Sequence, residues 1–332
     1  MRFVVIVYVG RRLMQLLPVL IGVSVLVFLI MHLTPGDPVA LMFGLEASAD
    51  PELMARLRHE LGLDRPLYVQ YLRFLANVAR GDLGRSLVTR DTVVSEIAAR
   101  LPATVELAVC GLVVAILVGV VAGVLAAAYR NSPLDYTVTV GALFGASMPA
   151  FWFGLMLILA LAVRVPIFPV SGRALPLATA LVQALGGQPG PLFKSLTHLV
   201  LPAVTLGLPS AALVARLTRS SVLEVLNQDY VRTARSKGLA ERTVLYRHAL
   251  RNALIPVVTV VGLQFGYLLG GAVITESVFA WPGIGRLVVQ AIQQRDYPVA
   301  QGLVMVVAVI FVMINLLVDL TYGTLDPRVR YR

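Results

Sequence analysis

The sequence predicts an all-α membrane protein with six transmembrane helices, and three observations lead to this fold class. First, 58% of the 332 residues are hydrophobic and only 14% are charged, so polar side chains are too few to cover a soluble domain of this size. Second, six stretches are long and apolar enough to cross a bilayer as helices. Third, the basic residues are distributed unevenly among the connecting loops, as in a protein with a fixed membrane orientation.

Each predicted span contains about 20 or more mostly apolar residues, the length that crosses the hydrocarbon core as a helix. In chain order the spans are Leu13–Leu33, Ala103–Ala128, Thr137–Val163, Thr197–Leu217, Ala253–Val278 and Val299–Tyr322. The first is too long for the apolar region of a cleavable signal peptide, so we expect it to be retained.

The loop charges predict the orientation. The N-terminus, the second loop, the fourth loop with its flanking turns and the C-terminus together carry 15 Lys and Arg residues, whereas the third and fifth loops carry 5. Because basic loops stay in the cytoplasm, residues 1–12 and 324–332 are predicted to be cytoplasmic. The protein is therefore expected to cross a membrane several times, with residues 34–101 outside the cell interior and residues 102–323 forming a core of five spans.

The two long outer loops are expected to differ in structure. Residues 34–101 predict a small helical layer with helices near Pro51–Leu61 and Leu67–Ala79, each preceded by a residue type that suits a helix start. The third loop, Arg164–Leu196, is rich in Pro and Gly and is predicted to be irregular.

The fourth loop, residues 218–252, holds the densest positive charge of the chain. Gly238 divides it, because glycine suits the left-handed position that ends a helix. Beyond Gly238, a helical apolar stripe is predicted, with Arg242, Arg247 and Arg251 off the stripe. The stripe comprises Tyr246, Ala249, Leu250, Ala253 and Leu254. Spacing alone leaves two interpretations open, a helix whose arginines meet anionic lipid headgroups or a helix that docks on a soluble partner.

This loop resembles the "EAA" loop of ATP-binding cassette (ABC) importer permeases, in the form found in the dipeptide and oligopeptide family. The resembling residues are Tyr230, Arg232, Thr233, Ala234, Arg235, Lys237, Gly238, Leu239, His248, Ala249, Leu250, Arg251, Asn252, Ala253 and Pro256. One departure is that the name-giving Glu-Ala-Ala is Thr233-Ala234-Arg235 here. Further resemblance runs nearly from end to end, at Arg11–Leu13, Pro35–Pro38, Gly81–Gly84, Ser147–Pro149, Phe151–Gly154, Pro169–Arg173, Thr218–Leu226, Thr275–Gly285, Asn315–Tyr322 and Asp326–Arg328.

The resemblance implies a type I ABC importer permease fold in which the fourth loop forms a cytoplasmic coupling helix held by a separate ATPase subunit. The implied coupling residues are Asp229, Tyr230, Arg232, Thr233, Ala234, Arg235, Lys237, Gly238, Leu239, Arg242 and His248. It also implies half of a translocation path for short peptides, most simply di- and tripeptides. The implied partners are a paralogous permease subunit, two ATPase subunits and an extracytoplasmic solute-binding protein.

No catalytic role and no cofactor is expected in this chain. It has only two lysines, Lys194 and Lys237, and neither follows the glycine pattern of a nucleotide-binding P-loop. ATP and Mg²⁺ are therefore expected on the partner ATPase subunits.

Small residues recur every four positions in three spans, at Gly119 and Gly123, at Gly141 and Gly145, and at Gly262, Gly266 and Gly270. Such spacing allows close helix packing within one chain, whereas the resemblance implies that the third and fifth spans line a path at a two-subunit interface. Candidate path or gate residues are Met148, Phe151, Gln264, Gly266, Gly270 and Glu276.

Ionisable residues inside spans are candidates for function, and Glu276 is the strongest candidate for a role at the outer mouth. For Glu106, Glu276 and Asp319, a purely structural role is the competing interpretation. Trp152 and Trp281 are expected to belong to the interfacial aromatic belt.

Three other functions compete with this interpretation. An ion-driven secondary transporter would require more spans and charged residues near the midplane. A membrane enzyme would require a nucleophile and a base within the bilayer, and His32 has no such partner at helical spacing. The same ABC permease role for nickel or glutathione remains an alternative to peptides.

Overall fold

The computed structural model describes residues 2–33 and 62–325, together with positions 52, 55, 56, 58 and 59. The described chain is mostly helical. Its helices are α1 (Arg2–Leu33), α2 (Leu67–Ala79), α3 (Val93–Ala128), α4 (Pro133–Ser147), α5 (Ala150–Ile158), α6 (Leu177–Leu185), α7 (Gly190–Leu226), α8 (Asp229–Ser236), α9 (Leu250–Val278), α10 (Ile284–Gln293) and α11 (Tyr297–Leu325).

Several of these helices extend beyond the predicted spans. Helix α3 begins at Val93 and continues through Pro102, and α7 contains Pro202 and Pro209. Within the described residues, four helical stretches are long and apolar enough to cross a membrane, and a fifth is formed if one bent pair counts as a single span. The described apolar part of α1 is Leu17–Ile30.

The predicted third span, Thr137–Val163, is broken in the structure by a sharp bend. Helices α4 and α5 meet at an angle of 103°, and the break lies at Met148 and Pro149. Pro149 has no N–H to donate and disfavours helical geometry at the residue before it. Met148 accordingly has an extended backbone, with ψ of 133°.

The third loop is more regular than predicted. It contains α6 and the first turns of α7. Pro176 directly precedes α6 and Gly186 directly follows it. The Pro and Gly residues therefore mark helix ends here, and the prediction of an irregular loop was wrong for these segments.

The described residues form two compact units. The first comprises the described parts of Met1–Pro102 together with Gly283–Val312. Its α2 confirms the predicted helix at Leu67–Ala79, whereas most of the predicted helix at Pro51–Leu61 lies outside the described residues. Its core includes Val93, Leu287 and Leu303. The first turn of α11 is tied to the loop before α3, because the Ser86 hydroxyl donates to Asp296.

The second unit comprises Ala103–Pro282 and the described part of Met313–Arg332. Helix α7 forms its centre and contacts α4, α5, α6 and α9. Glycines allow α3 to approach α7 closely. A Cβ added at Gly119 would lie 2.7 Å from the Ala211 oxygen, and one at Gly123 would lie 2.5 Å from the Ala215 oxygen. These glycines therefore serve helix packing within the chain.

Candidate functional site

The fourth loop folds as the end of α7, the short helix α8 and the start of the helical stretch that becomes α9. Asp229 lies in the first turn of α8, where a negative charge complements the helix dipole. Gly238 has a φ of +74°, and its N–H donates to the Arg235 oxygen over 2.9 Å. The predicted helix end at Gly238 is therefore confirmed.

One face of α8 is buried. Val231 and Ala234 pack together with Val244, and Val225 and Leu226 at the end of α7 cover the same cluster. Ala234, one of the residues implied to contact an ATPase, is only 6% exposed. Its contribution here is to hold α8 against its neighbours.

The opposite face of α8 and the following turn are exposed. The exposed residues are Asp229, Tyr230, Arg232, Thr233, Arg235, Ser236, Lys237, Gly238 and Leu239. The hydroxyls of Thr233 and Ser236 donate to the backbone oxygens of Asp229 and Arg232, at 3.0 and 2.8 Å. This face is consequently polar, largely cationic and already ordered as a helix.

An ion pair closes the turn after α8. The Arg235 guanidinium donates to both carboxylate oxygens of Glu241, at 2.6 and 3.0 Å. The hydrogen bonds to Glu241 raise the pKa of Arg235 above its ordinary value. Both side chains are substantially exposed, so water screens the pair and its contribution to stability is small.

The segment after Gly238 runs into α9 without a loop. Glu241–Thr243 is helical, Val244–Ala249 forms a π-helical turn, and α9 follows at Leu250. Arg242 is exposed and His248 is half-buried. Tyr246, predicted on the apolar stripe, is 53% exposed. The π-helical turn contains more residues than an α-turn, which changes the helical phase and moves Tyr246 off the buried face.

Helix α8 is thus anchored to both of its neighbours. Its buried face contacts the end of α7, and the Asn252 amide of α9 donates to the Tyr230 hydroxyl over 2.9 Å.

The candidate path residues fall into two groups. Met148 lies at the bend between α4 and α5, and Phe151 is 48% exposed just beyond it. Gly141, Gly145 and Gly270 have open surroundings, since a Cβ added at any of them would meet nothing within 4 Å. These residues form open surfaces on the third and fifth predicted spans.

The other candidates are engaged in packing. Gly266 is buried, and the Gln264 amide donates to the Ser210 hydroxyl over 3.0 Å. Glu276 is fully buried and accepts a hydrogen bond of 2.6 Å from the Thr104 hydroxyl. This burial favours the structural interpretation of Glu276, and its role at the outer mouth stays a prediction. The side chain of Asp319 lies outside the described part of the chain.

Trp281 does not belong to an aromatic belt, because it is 1% exposed and its indole N–H donates to the Ala103 oxygen over 2.8 Å. Trp152, at 42% exposed, retains the surface position expected of a belt residue. Arg173 lies over the Trp281 ring and pairs with Glu106, which also accepts from the Leu177 N–H. Glu106 thus holds the third loop to α3, in agreement with the structural interpretation.

Sequence reasoning missed the ion pair between Asp135 and Arg219. The guanidinium donates to both carboxylate oxygens, at 2.6 and 2.8 Å, and joins the start of α4 to α7. The Asp135 side chain is 3% exposed, whereas that of Arg219 is 31% exposed. A helix-starting Ser-Pro followed by Asp at the edge of an apolar span was the available sequence signal.

Comparison with known proteins identifies the family to which the chain belongs. The family model of the binding-protein-dependent transport system inner membrane component matches residues 119–331, and the model of its N-terminal part matches residues 2–108. The chain is 47% identical over 336 residues to the dipeptide transport system permease protein DppB of Escherichia coli K12, covering 98% of this chain and 99% of that protein.

Two further likenesses agree with this match. The chain is 43% identical to the glutathione transport system permease protein GsiC of E. coli K12, again over 98% and 99% of the two chains. It also resembles the inward-facing MetNI methionine ABC transporter with a TM-score of 0.50 at 19% identity, over 69% of this chain and 94% of that one. The last likeness concerns the fold alone. This chain belongs to the family of binding-protein-dependent transport system inner membrane components.

Proposed function

We propose that this chain is one of two permease subunits in an ATP-driven ABC importer of di- and tripeptides. The family match and the identity to a dipeptide permease support this assignment. The chain supplies half of the translocation path and performs no catalysis. ATP and Mg²⁺ bind to the two ATPase subunits, and an extracytoplasmic binding protein delivers the peptide.

The proposed topology has six spans and two cytoplasmic termini. Helices α1, α3, α7, α9 and α11 each account for one span, and the bent pair of α4 and α5 accounts for the sixth. The distribution of basic residues between the loops supports this orientation.

The arrangement of α8 is the observation that carries the proposal. This helix combines an exposed cationic face with a buried face packed on α7, and it is tied to α9 by Tyr230 and Asn252. Such an element can receive a movement from an ATPase and tilt two spans as a rigid body. The coupling surface comprises Asp229, Tyr230, Arg232, Thr233, Arg235, Lys237, Gly238, Leu239, Arg242 and His248, with Ala234 positioning the helix from beneath.

The proposed path runs along the open surfaces of the third and fifth spans. Met148, Phe151 and Gly270 face it, and the paralogous subunit completes it. Glu276, Gln264 and Gly266 support this wall from behind, because their contacts lie within the chain.

Docking can be tested by charge reversal on α8. In the variant that combines Arg232→Glu with Lys237→Glu, retention of the ATPase subunits should fall about tenfold, because charge complementarity is lost. The measurement is the amount of ATPase recovered when the complex is isolated from membranes through a tag on this chain. Lys194→Glu is the matched control, since Lys194 is an exposed lysine at the other end of α7. Equal retention of the ATPase subunits by the unmodified chain, the double variant and the Lys194→Glu control would contradict docking at α8.

Glutathione is a second candidate substrate, because a glutathione permease is also a close relative. Glutathione is itself a tripeptide, so the two candidates share a substrate class. Uptake of a labelled dipeptide in the presence of excess unlabelled glutathione distinguishes them. We expect glutathione to compete weakly, and complete competition would favour the second candidate.

A further inference from the structure

A cleft of about 680 Å³ lies between α8 and the start of α9. We refer to it as the cationic cleft. It is lined by Tyr230, Arg247, His248, Arg251, Asn252, Leu254, Ile255 and Val258. Only Tyr230 and His248 among these belong to the proposed coupling surface, so the cleft requires its own explanation.

The polar end of the cationic cleft carries two available positive charges. Arg247 and Arg251 are exposed, and among the described residues neither forms an ion pair. The nearby Arg235, in contrast, is engaged by Glu241. The Tyr230 hydroxyl and the Asn252 amide add polar groups at the same end. These features favour an anionic ligand.

The other end of the cationic cleft is apolar. One face of α9 carries residues at positions i, i+3, i+4 and i+7, which are Arg251, Leu254, Ile255 and Val258. Ile255 is 39% exposed and Val258 is 47% exposed. At a rise of about 1.5 Å per residue, Val258 lies about 10 Å beyond Arg251 along the helix axis. Arg251 precedes the apolar stretch Ala253–Val278, so a bilayer that surrounds this stretch would place Arg251 at headgroup depth and Val258 at acyl-chain depth.

We propose that the cationic cleft binds an anionic phospholipid. The phosphate lies between Arg247 and Arg251, and one acyl chain follows Ile255 and Val258. An amphiphile matches both ends, whereas a free phosphate would leave the apolar wall in water. The bound lipid contacts α8 at Tyr230 and α9 at Asn252, the two ends of the hydrogen bond that joins these helices. Lipid occupancy therefore stabilises the connection between the coupling helix and the fifth span.

Photo-crosslinking tests this proposal on the complete complex in nanodiscs. The variant Val258→benzoylphenylalanine is irradiated in phosphatidylcholine with or without phosphatidylglycerol, and the lipid adducts are measured by mass spectrometry. We expect phosphatidylglycerol adducts to predominate. Because each arginine near an anionic lipid surface is worth about fivefold in affinity, adding Arg247→Gln and Arg251→Gln should lower them about 25-fold.

Two further variants make the result specific. Arg130→Gln removes one exposed charge outside both the cleft and the coupling surface and should keep the adducts. The double lysine variant Arg247→Lys with Arg251→Lys should largely restore them. Excess inorganic phosphate should not displace the lipid. Equal labelling by both lipids, equal labelling in the glutamine variant, or displacement by phosphate would overturn the proposal. The yield of lipid adducts is measured without any uptake assay. A negative crosslinking result would therefore contradict lipid binding and leave the assignment of the peptide substrate untouched.

Discussion

At the scale of single residues, burial separates the Asp135–Arg219 pair from the Arg235–Glu241 pair. Both have bidentate geometry. The carboxylate of Asp135 is 3% exposed, whereas that of Glu241 is 64% exposed. A buried carboxylate that loses its partner cannot be hydrated, and this makes the first pair costly to break. The second pair is screened by water and contributes less than about 1 kcal/mol.

The first prediction concerns Arg219→Gln. This change leaves the Asp135 charge buried without its cation and should destabilise the protein by about 3 kcal/mol. The measurement is the thermal unfolding temperature of the purified protein in detergent. Arg216→Gln is the control, because Arg216 is exposed on the same helix. An equal shift in both variants would show that the pair is not the cause.

Residue roles were the least predictable part of the site. Glu276 was a candidate for a role at the outer mouth, and Trp281 was expected in the aromatic belt. Both side chains are buried, because each forms a hydrogen bond with a residue far away in sequence. Thr104 and Ala103 supply those hydrogen bonds. No local pattern around either residue identifies these partners. Gly238, in contrast, was correctly placed because a helix end is a local feature.

At the scale of elements, the glycines show which helix faces are filled by the chain itself. Gly207 of α7 approaches the backbone of Gly111 in α3 so closely that an added Cβ would overlap the Gly111 oxygen. A Cβ added at Gly262 would likewise lie only 2.8 Å from the Val318 side chain of α11. Gly141 and Gly145 of α4 have no such neighbour within 4 Å. The first set packs helices within the chain, and the second lines an open pocket beside α3 and α7, which we propose the paralogous subunit covers.

The second prediction compares two glycine substitutions. Gly207→Val should destabilise the chain by about 1–3 kcal/mol, because the side chain cannot fit between α3 and α7. Gly141→Val should leave the stability of the isolated chain nearly unchanged but reduce assembly with the paralogous subunit. Unfolding temperature and recovery of the second permease subunit are the two measurements. A large loss of stability in Gly141→Val would contradict the assignment of its face.

Element positions were largely predictable because long apolar runs determine them. The predicted helix at Leu67–Ala79 has the same first and last residues as the observed helix. The predicted spans lie within or close to observed helices. The bend at Pro149 was not predicted, since hydropathy is continuous across it. The regular structure of the third loop was also missed, because Pro and Gly can indicate either a helix boundary or a disordered turn.

At the scale of the whole molecule, the two lysines allow the proposed orientation in the membrane to be tested. Helix α7 contains 37 residues and is about 55 Å long, which exceeds the thickness of about 30 Å of a hydrocarbon core. Lys194 lies near its start, Lys237 directly follows α8 beyond its end, and both are exposed. The two amines should therefore lie on opposite sides of the membrane.

The third prediction follows from this geometry. A membrane-impermeant amine reagent should modify Lys237 only in inside-out vesicles and Lys194 only in right-side-out vesicles. Mass spectrometry of the two peptides measures the outcome, and disrupted vesicles provide the control in which both lysines react. Modification of both lysines from the same side, or of Lys237 from outside, would contradict the proposed orientation.

The central claim is that movement enters this chain through α8 and reaches α9 as a rigid unit. Gly238 sets the direction of that connection with its φ of +74°. A residue other than glycine is strained by about 1–2 kcal/mol in this conformation. No atom lies within 4 Å of an added Cβ, so Gly238→Val acts through the backbone and creates no clash with its surroundings.

The most direct test is the number of peptides imported per ATP hydrolysed by the reconstituted complex. For Gly238→Val, ATP hydrolysis should persist while peptide import falls about tenfold, because the strain shifts the turn away from its native geometry. Gly187→Val is the matched control, since Gly187 has a φ of +89° and equally open surroundings but lies between α6 and α7. For Gly187→Val, the number of peptides imported per ATP hydrolysed should stay near that of the unmodified protein. An unchanged ratio in Gly238→Val, or an equal loss in both variants, would contradict coupling through α8.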